Sequence, residues 1–301
     1  MIALSLNVNN LRRTFGTKVA VDDVSFQMPN PGVFGLIGTN GAGKTTTIRM
    51  ILGILRPDSG NALWNGRPIS RETLGFGYMP EERGIYMKNK VLDQLIYFGM
   101  LRGMNRSDAK TSALSLMQRL EVTEYKDMPA EKLSKGNQQK IQLIATLIHD
   151  PQLIFLDEPF SGLDPVNAEM LRGLIEELTE KGKYIVMSSH QMSTVEEYCR
   201  DLLILDHGKT VLNGNLQQIK ASYGHTNLRI KTSADISKLA EKTGLILIRK
   251  AADEFEFKIT GDAMANNFLD GLISSGIYPL KFEIAEPSLN EIFIEKVGEK
   301  A

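Results

Sequence analysis

Apolar and polar residues alternate along the opening "LSLNVNNLRRTFG" and "VAVDDVSFQM", with breaks at Gly16, Pro29 and Pro31. A period of two with a turn between predicts an antiparallel hairpin. "GVFGLIG" (32–38) is nearly all apolar and predicts a strand buried on both faces, and "TTTIRMILGIL" after it is expected to run as a helix to Pro57. From Val91 to Leu120 the spacing turns helical, with a polar cap at Asn105-Arg106-Ser107-Asp108. "LIFLD", "VNAEMLRGLIEELTEKG", "YIVMSSH", "STVEEYCR" and "LLILDHG" then alternate strand and helix, as in a doubly wound parallel sheet. Beyond Gly224 come "NLRIKT", a helix from Ala234 to Lys242, "LILIRK", "EFEFKI", a helix from Asp262 to Ser275, and "YPLKFEI". That β-α-β-β-α-β order suits a small ferredoxin-like sandwich.

The expected organisation is therefore an α/β domain over 1–222, with a helical insertion at about 85–150, and an α+β accessory domain over 223–301. The 301 residues are enough for both. Near-equal counts of 35 basic and 36 acidic residues give no electrostatic reason to expect a nucleic-acid partner. A single cysteine, Cys199, excludes an internal disulfide and is read as a buried packing residue. The start lacks the pattern of a secretory signal, and runs such as Met50 to Leu55 fall far short of the roughly 18 apolar residues a membrane span needs. Any membrane role requires a partner that does the spanning.

The most specific stretch is "GTNGAGKTTT" (38–47), placed between the buried strand and a helix. In Gly38-x-x-x-x-Gly43-Lys44-Thr45 the glycines let backbone amides turn inward around a phosphate, and the helix adds its positive end. Asn40, Gly41, Ala42 and Thr46 complete that cradle. Lys44 is expected to reach the β- and γ-phosphates and Thr45 to ligate Mg²⁺. Asp157, ending the apolar strand "LIFLD", is placed to hold the same Mg²⁺ through water, and Glu158 beside it to polarise water as a general base. By itself an Asp-Glu pair after a strand is a helix start; the phosphate loop changes that reading.

Between these anchors lies "LSKGNQQK" (133–140). By its residue types it is an N-cap, but Leu133-Ser134-Lys135-Gly136-Asn137 resembles a variant of the signature sequence of ATP-binding-cassette ATPases, usually Leu-Ser-Gly-Gly-Gln. The resemblance spans roughly residues 3–215. It implies a P-loop cassette with a parallel sheet core, an antiparallel β subdomain and the helical insertion. Phe15 resembles the aromatic that stacks on adenine, "SGLDP" with Ser161 and Asp164 the loop that communicates across the nucleotide-bound dimer, and His190 the switch histidine at the γ-phosphate. In "GYMPEERG" the family's usual glutamine is replaced by Glu81, which puts an extra carboxylate near the metal. "PEERG", "LSKGNQQK" and the tail "EPSLNEIFIEKV" together resemble ATPase subunits of bacterial sodium and drug exporters.

The resemblance implies ATP and Mg²⁺ as ligands, bound between two cassettes meeting head to tail, as homodimer or heterodimer. Ser134 and Gly136 of one copy would complete the site of the other. It also implies an integral membrane permease as partner, contacted near Glu81 to Tyr97, and a place on the cytoplasmic face of the cell membrane. A soluble ATPase of the same fold acting on ribosomes or DNA is the alternative. Such relatives carry two cassettes or a long coiled coil, and this chain has neither.

Overall fold

The computed structural model describes residues 5–69, 75–82 and 84–298, which divide into two compact units, 1–213 and 214–301. The first contains β1 (Leu6–Phe15), β2 (Lys18–Met28), β3 (Gly32–Ile37), α1 (Lys44–Ile51), β4 (Ser59–Trp64), β5 (Arg67–Pro68) and β6 (Phe76–Met79). It continues with α2 (Val91–Leu101), α3 (Arg106–Arg119), α4 (Lys135–Leu147), β7 (Leu153–Asp157), α5 (Pro165–Glu180), β8 (Tyr184–Ser189), α6 (Met192–Tyr198), β9 (Asp201–Asp206) and β10 (Lys209–Asn215), the last of which runs two residues past the division.

These strands order as β5-β4-β1-β2-β10-β9-β3-β8-β7-β6. The β9-β3-β8-β7-β6 half is parallel, and β1, β2, β4 and β5 form the antiparallel half. β3, β7 and β8 are apolar almost throughout because both faces are covered, whereas β1 and β2 alternate. Phe26 stacks on Phe34 at 4.4 Å and Trp64 meets Tyr184 edge-on at 4.9 Å, so aromatic pairs join the two halves in one core. The parallel register places the C-terminal ends of β3, β7 and β8 side by side, where a parallel sheet presents its ligands.

The structure departs from the sequence reading at several points. The helix after the phosphate loop ends at Ile51 and not at Pro57: the amides of Gly53, Ile54 and Leu55 fold back onto the carbonyls of Met50 and Arg49 and close it early. β4 to β6 were not foreseen, since their alternation is broken by turn residues. The units divide at 213/214, ahead of the 222/223 boundary read from the sequence, because α7 (Leu216–Tyr223) belongs with the second unit.

The second unit continues with β11 (Asn227–Lys231), α8 (Ser237–Lys242), β12 (Ile246–Ala251), β13 (Glu254–Lys258), α9 (Asp262–Ser274), β14 (Lys281–Ala285) and α10 (Leu289–Gly298). Its antiparallel sheet has the order β12-β13-β11-β14, the arrangement of a ferredoxin-like sandwich. Leu228, Ile230, Phe255, Phe257, Phe268 and Leu272 form its own core. α8 starts at Ser237, not Ala234, because the Thr232 hydroxyl accepts from Ala234 N–H and the Asp235 carboxylate from Ser237 N–H, holding a turn ahead of it.

Candidate functional site

The loop between β3 and α1 is held where only glycine fits. A Cβ on Gly38 would stand 2.4 Å from Leu205 O, and one on Gly43, at φ 106°, would stand 2.6 Å from Ala20 O. Helices α3, α4, α5 and α7 are capped by Asn105, Ser134, Asp164 and Asn215, but α1 has no capping side chain and no acid in its first turn. Its leading amides have no intrahelical acceptor and its positive end faces the loop, so this terminus suits an external anion.

Around it the structure gathers Lys44, Thr45, Asp157, Glu158 and His190. Lys44 is 6% exposed, and its Nζ donates to Gly38 O at 2.8 Å and Thr39 O at 3.3 Å while lying 3.2 Å from Glu158 Oε1. That last contact is an ion pair without hydrogen-bond alignment, for Oε1 accepts no hydrogen bond. Glu158 Oε2 accepts from His190 N–H at 3.3 Å and lies 2.8 Å from His190 Nδ1. A carboxylate offers no proton, so Nδ1 carries the hydrogen and Nε2 is left for another partner. Glu158 is 7% exposed and has φ 52°, a left-handed conformation costly for a long side chain, of the kind found where a surrounding site dictates the backbone.

Asp157 is fully buried. Burial pushes its carboxyl above the usual range, opposed by the nearby Ser188 and Thr45 hydroxyls, raised further by Glu158 and lowered by Lys44. One oxygen accepts from Ser188; the other, Oδ2, has no partner. A buried carboxylate oxygen with no donor, next to a threonine hydroxyl, fits a hard divalent cation that takes oxygen ligands. Thr45 and Asp157 are thus the residues that could hold Mg²⁺.

Ser188 was missed in the sequence. It donates to Asp157 and accepts the Glu158 N–H at 3.0 Å, so one hydroxyl orients both acidic residues. The signal available was a pair of serines ending an otherwise apolar strand.

The remaining candidates lie apart from this cluster, with no side-chain hydrogen bond or ion pair to it among the described residues. Phe15 is half-exposed at the turn of the first hairpin, under the Arg13 guanidinium. Ser134 is exposed and caps α4 by accepting from Asn137 N–H at 3.3 Å. Gly136 abuts the Asn167 amide, which binds the Asp164 carboxylate, so the signature segment and the "SGLDP" turn touch within one chain. Ser161 N–H bonds to Glu158 O at 3.1 Å. Glu81 is exposed just past β6. Cys199 is buried beneath β3, as expected, with its thiol pushed up by burial. Among the described residues no helix is long and apolar enough to cross a membrane.

Comparison with known proteins shows the family and the fold. The model of the ABC transporter family matches residues 21–161, and that of the C-terminal domain of the DrrA1-3-like ATP-binding proteins matches residues 214–297. The chain is 44% identical to an uncharacterized ABC transporter ATP-binding protein, YhaQ, of Bacillus subtilis, over 97% of this chain and 98% of that protein. It is 31% identical to the Nod factor export ATP-binding protein I of Sinorhizobium fredii, over 70% of this chain and 63% of that protein. A solved ATP-binding subunit of an ABC transporter superposes with a TM-score of 0.66 at 29% identity, over 72% of this chain and 92% of that one.

Proposed function

The chain belongs to the ABC transporter ATPases, and from that premise we propose that it is the energy-supplying subunit of an exporter, working as a dimer on a separate permease at the cytoplasmic face of the membrane. The observation that carries the catalytic part is the buried Lys44–Glu158 pair, joined to the more exposed His190, beside the unpartnered Asp157 oxygen. Export is supported by the name of the Nod factor relative and by the exporter-like "PEERG" and "LSKGNQQK" segments.

ATP enters with its phosphates on the 38–46 loop and adenine against Phe15. Lys44 leaves the carbonyls of Gly38 and Thr39 for the β- and γ-phosphates. Thr45 and Asp157 would hold Mg²⁺, with Glu81 as the further carboxylate of this reading, and the ion would supply positive charge to the phosphate oxygens. Glu158, released from Lys44, takes a proton from water as the water oxygen attacks the γ-phosphorus and the bond to the bridging β-γ oxygen breaks. His190 holds the Glu158 carboxylate through Nδ1 and turns Nε2 toward the γ-phosphate.

Among the described residues Ser134 and Gly136 have no hydrogen bond to the phosphate loop, and in this reading a second cassette supplies the phosphate they contact, with Ser161 and Asp164 at the seam. Closure neutralises the γ-phosphate from both sides. The permease contact is supported by exposed Tyr86 and Tyr97, clustered with Phe98, beside a 740 Å³ cleft lined by Ile54, Leu101 and Arg102. Met87 and Lys88 flank the same aromatic group.

The test is isolation of the tagged protein from gently solubilised native membranes with ATP and vanadate. Recovery of a polytopic membrane protein in near-equal amount is expected. Ribosomal or chromosomal proteins in its place would overturn the transport reading and leave the ATPase chemistry intact.

A further inference from the structure

Helix α4 begins at the signature segment and carries three glutamines whose amides all leave the helix. Gln138 Nε2 donates back to Ala130 O at 2.9 Å and Leu133 O at 3.1 Å, bracing the entry to the helix. Gln139 Nε2 donates to Pro159 O at 2.5 Å, in the residue after Glu158. Gln142, one turn on and 6% exposed, donates from one amide to Pro80 O at 2.6 Å and Glu82 O at 3.1 Å, the two carbonyls that flank Glu81. Thr146, a further turn along, shares its hydroxyl hydrogen between Gln142 O in its own helix at 2.9 Å and Tyr78 O in β6 at 3.3 Å. Positions 139, 142 and 146 share one face of the helix, so that face is tied to both loops that follow catalytic-edge strands.

Glu81 and Glu82 themselves are exposed, and β6 before them is four residues long. Gln142 therefore supplies a buried anchor for the segment. A side-chain amide has two donor hydrogens, and both are spent on carbonyls 60 and 62 residues away in sequence. If Gln142 served packing alone, an apolar residue of equal length would fill the same volume without fixing the backbone on either side of Glu81.

We propose that Gln142 is a positioning residue for ATP hydrolysis: its single amide, clamped to Pro80 O and Glu82 O, sets where Glu81 stands and makes the signature helix and the Glu81 loop move as one body. This rests on the reading of Glu81 as a group on the outer side of the metal. Ser134 heads the same helix about 12 Å away, at 1.5 Å per residue. A signature end captured by a second cassette thus pulls the Glu81 loop through a stiff rod, and nucleotide closure in one half of the dimer is felt at the metal edge of the other.

The test is a double-mutant cycle on steady-state hydrolysis by the full chain, with Gln142→Met, Glu81→Ala and the pair. Gln142→Met keeps length and apolar volume but donates nothing, and kcat is expected to fall about tenfold with KM for ATP within twofold. In the Glu81→Ala background the same substitution is expected to cost less than twofold. Gln142→Lys, which can donate to both carbonyls, is expected to restore kcat to within threefold of the parent, and it stands in if Gln142→Met does not fold: kcat lost in that variant while thermal unfolding is unchanged would overturn the proposal. A full tenfold loss in both backgrounds would overturn the coupling while leaving Glu81 in the site. A Glu81→Ala variant with unchanged rate and unchanged Mg²⁺ titration would overturn both.

Discussion

Two acidic sites, one in each unit, show what separates structure from chemistry in this chain. In the second unit Glu291 accepts from Asn227 Nδ2 on both oxygens, at 2.9 and 3.0 Å, and from Ser288 N–H and hydroxyl at 2.9 and 2.8 Å. Burial pushes its carboxyl up, but those donors outweigh it and hold the group below its ordinary value. Both oxygens have donors, and the Ser288-x-x-Glu291 pairing is the capping box of α10. In the first unit Asp157 is more deeply buried, its carboxyl is shifted the other way, and one oxygen has no donor. A satisfied carboxylate stabilises the fold; an unsatisfied one is kept at a cost for a ligand that brings positive charge.

The comparison breaks most sharply at Glu158, where the largest effect is expected. Glu158→Gln keeps the shape of the side chain and its bond to His190 but removes the base, so hydrolysis should fall at least about 100-fold. An ATP-bound dimer should accumulate, visible by size-exclusion chromatography with ATP. Normal turnover in this variant would remove Glu158 from the base role. Next in size is Asp157→Asn, for which two readouts should move in opposite directions. Hydrolysis should drop by about 10-fold or more as the metal loses a charged ligand. In EDTA, however, relief of a buried charge should raise the thermal midpoint by about 2–4 °C. A variant that loses both activity and stability would place Asp157 with Glu291, as a structural group.

How much of this was legible in the sequence depends on where the information sits. Asp157, Glu158 and His190 were readable because each lies at or just past the end of an apolar strand, and Lys44 because the Gly38-x-x-x-x-Gly43-Lys44-Thr45 spacing marks it. The β-α-β-β-α-β order of the second unit was readable because its alternation and helical periods are clean. Ser188, Gln139 and Gln142 were not, because their partners lie 20 to 62 residues away and a serine or glutamine carries no local mark of a long-range bond. The early end of α1 was hidden for a similar reason: Pro57 is a loud stop signal, but the backbone closes the helix sooner with its own carbonyls. Glu81 is readable only as a departure from a resembled pattern, and its exposure does not reveal its work.

Glu291 sharpens the comparison from the other side, with the smallest effect on chemistry. Glu291→Ala leaves Asn227, which is fully buried, without an acceptor for its amide, and it removes the carboxylate half of the capping box while Ser288 still caps α10. An unpaired buried amide costs about 2 kcal/mol, which in a unit of this size lowers its unfolding midpoint by about 10 °C. Hydrolysis at permissive temperature should stay within twofold. The pH dependence has a fixed sign, because the folded carboxyl lies below its ordinary value of 4.5. Its contribution is fully present above that value and is lost as pH falls through the folded one, where the unfolded chain already binds the proton. The stability gap between parent and Glu291→Ala, followed by circular dichroism melts, should therefore be constant from neutrality to about pH 5 and narrow below it. A gap that instead widened on acidification would mean that Glu291 is held in its protonated form, and the contrast with Asp157 would collapse.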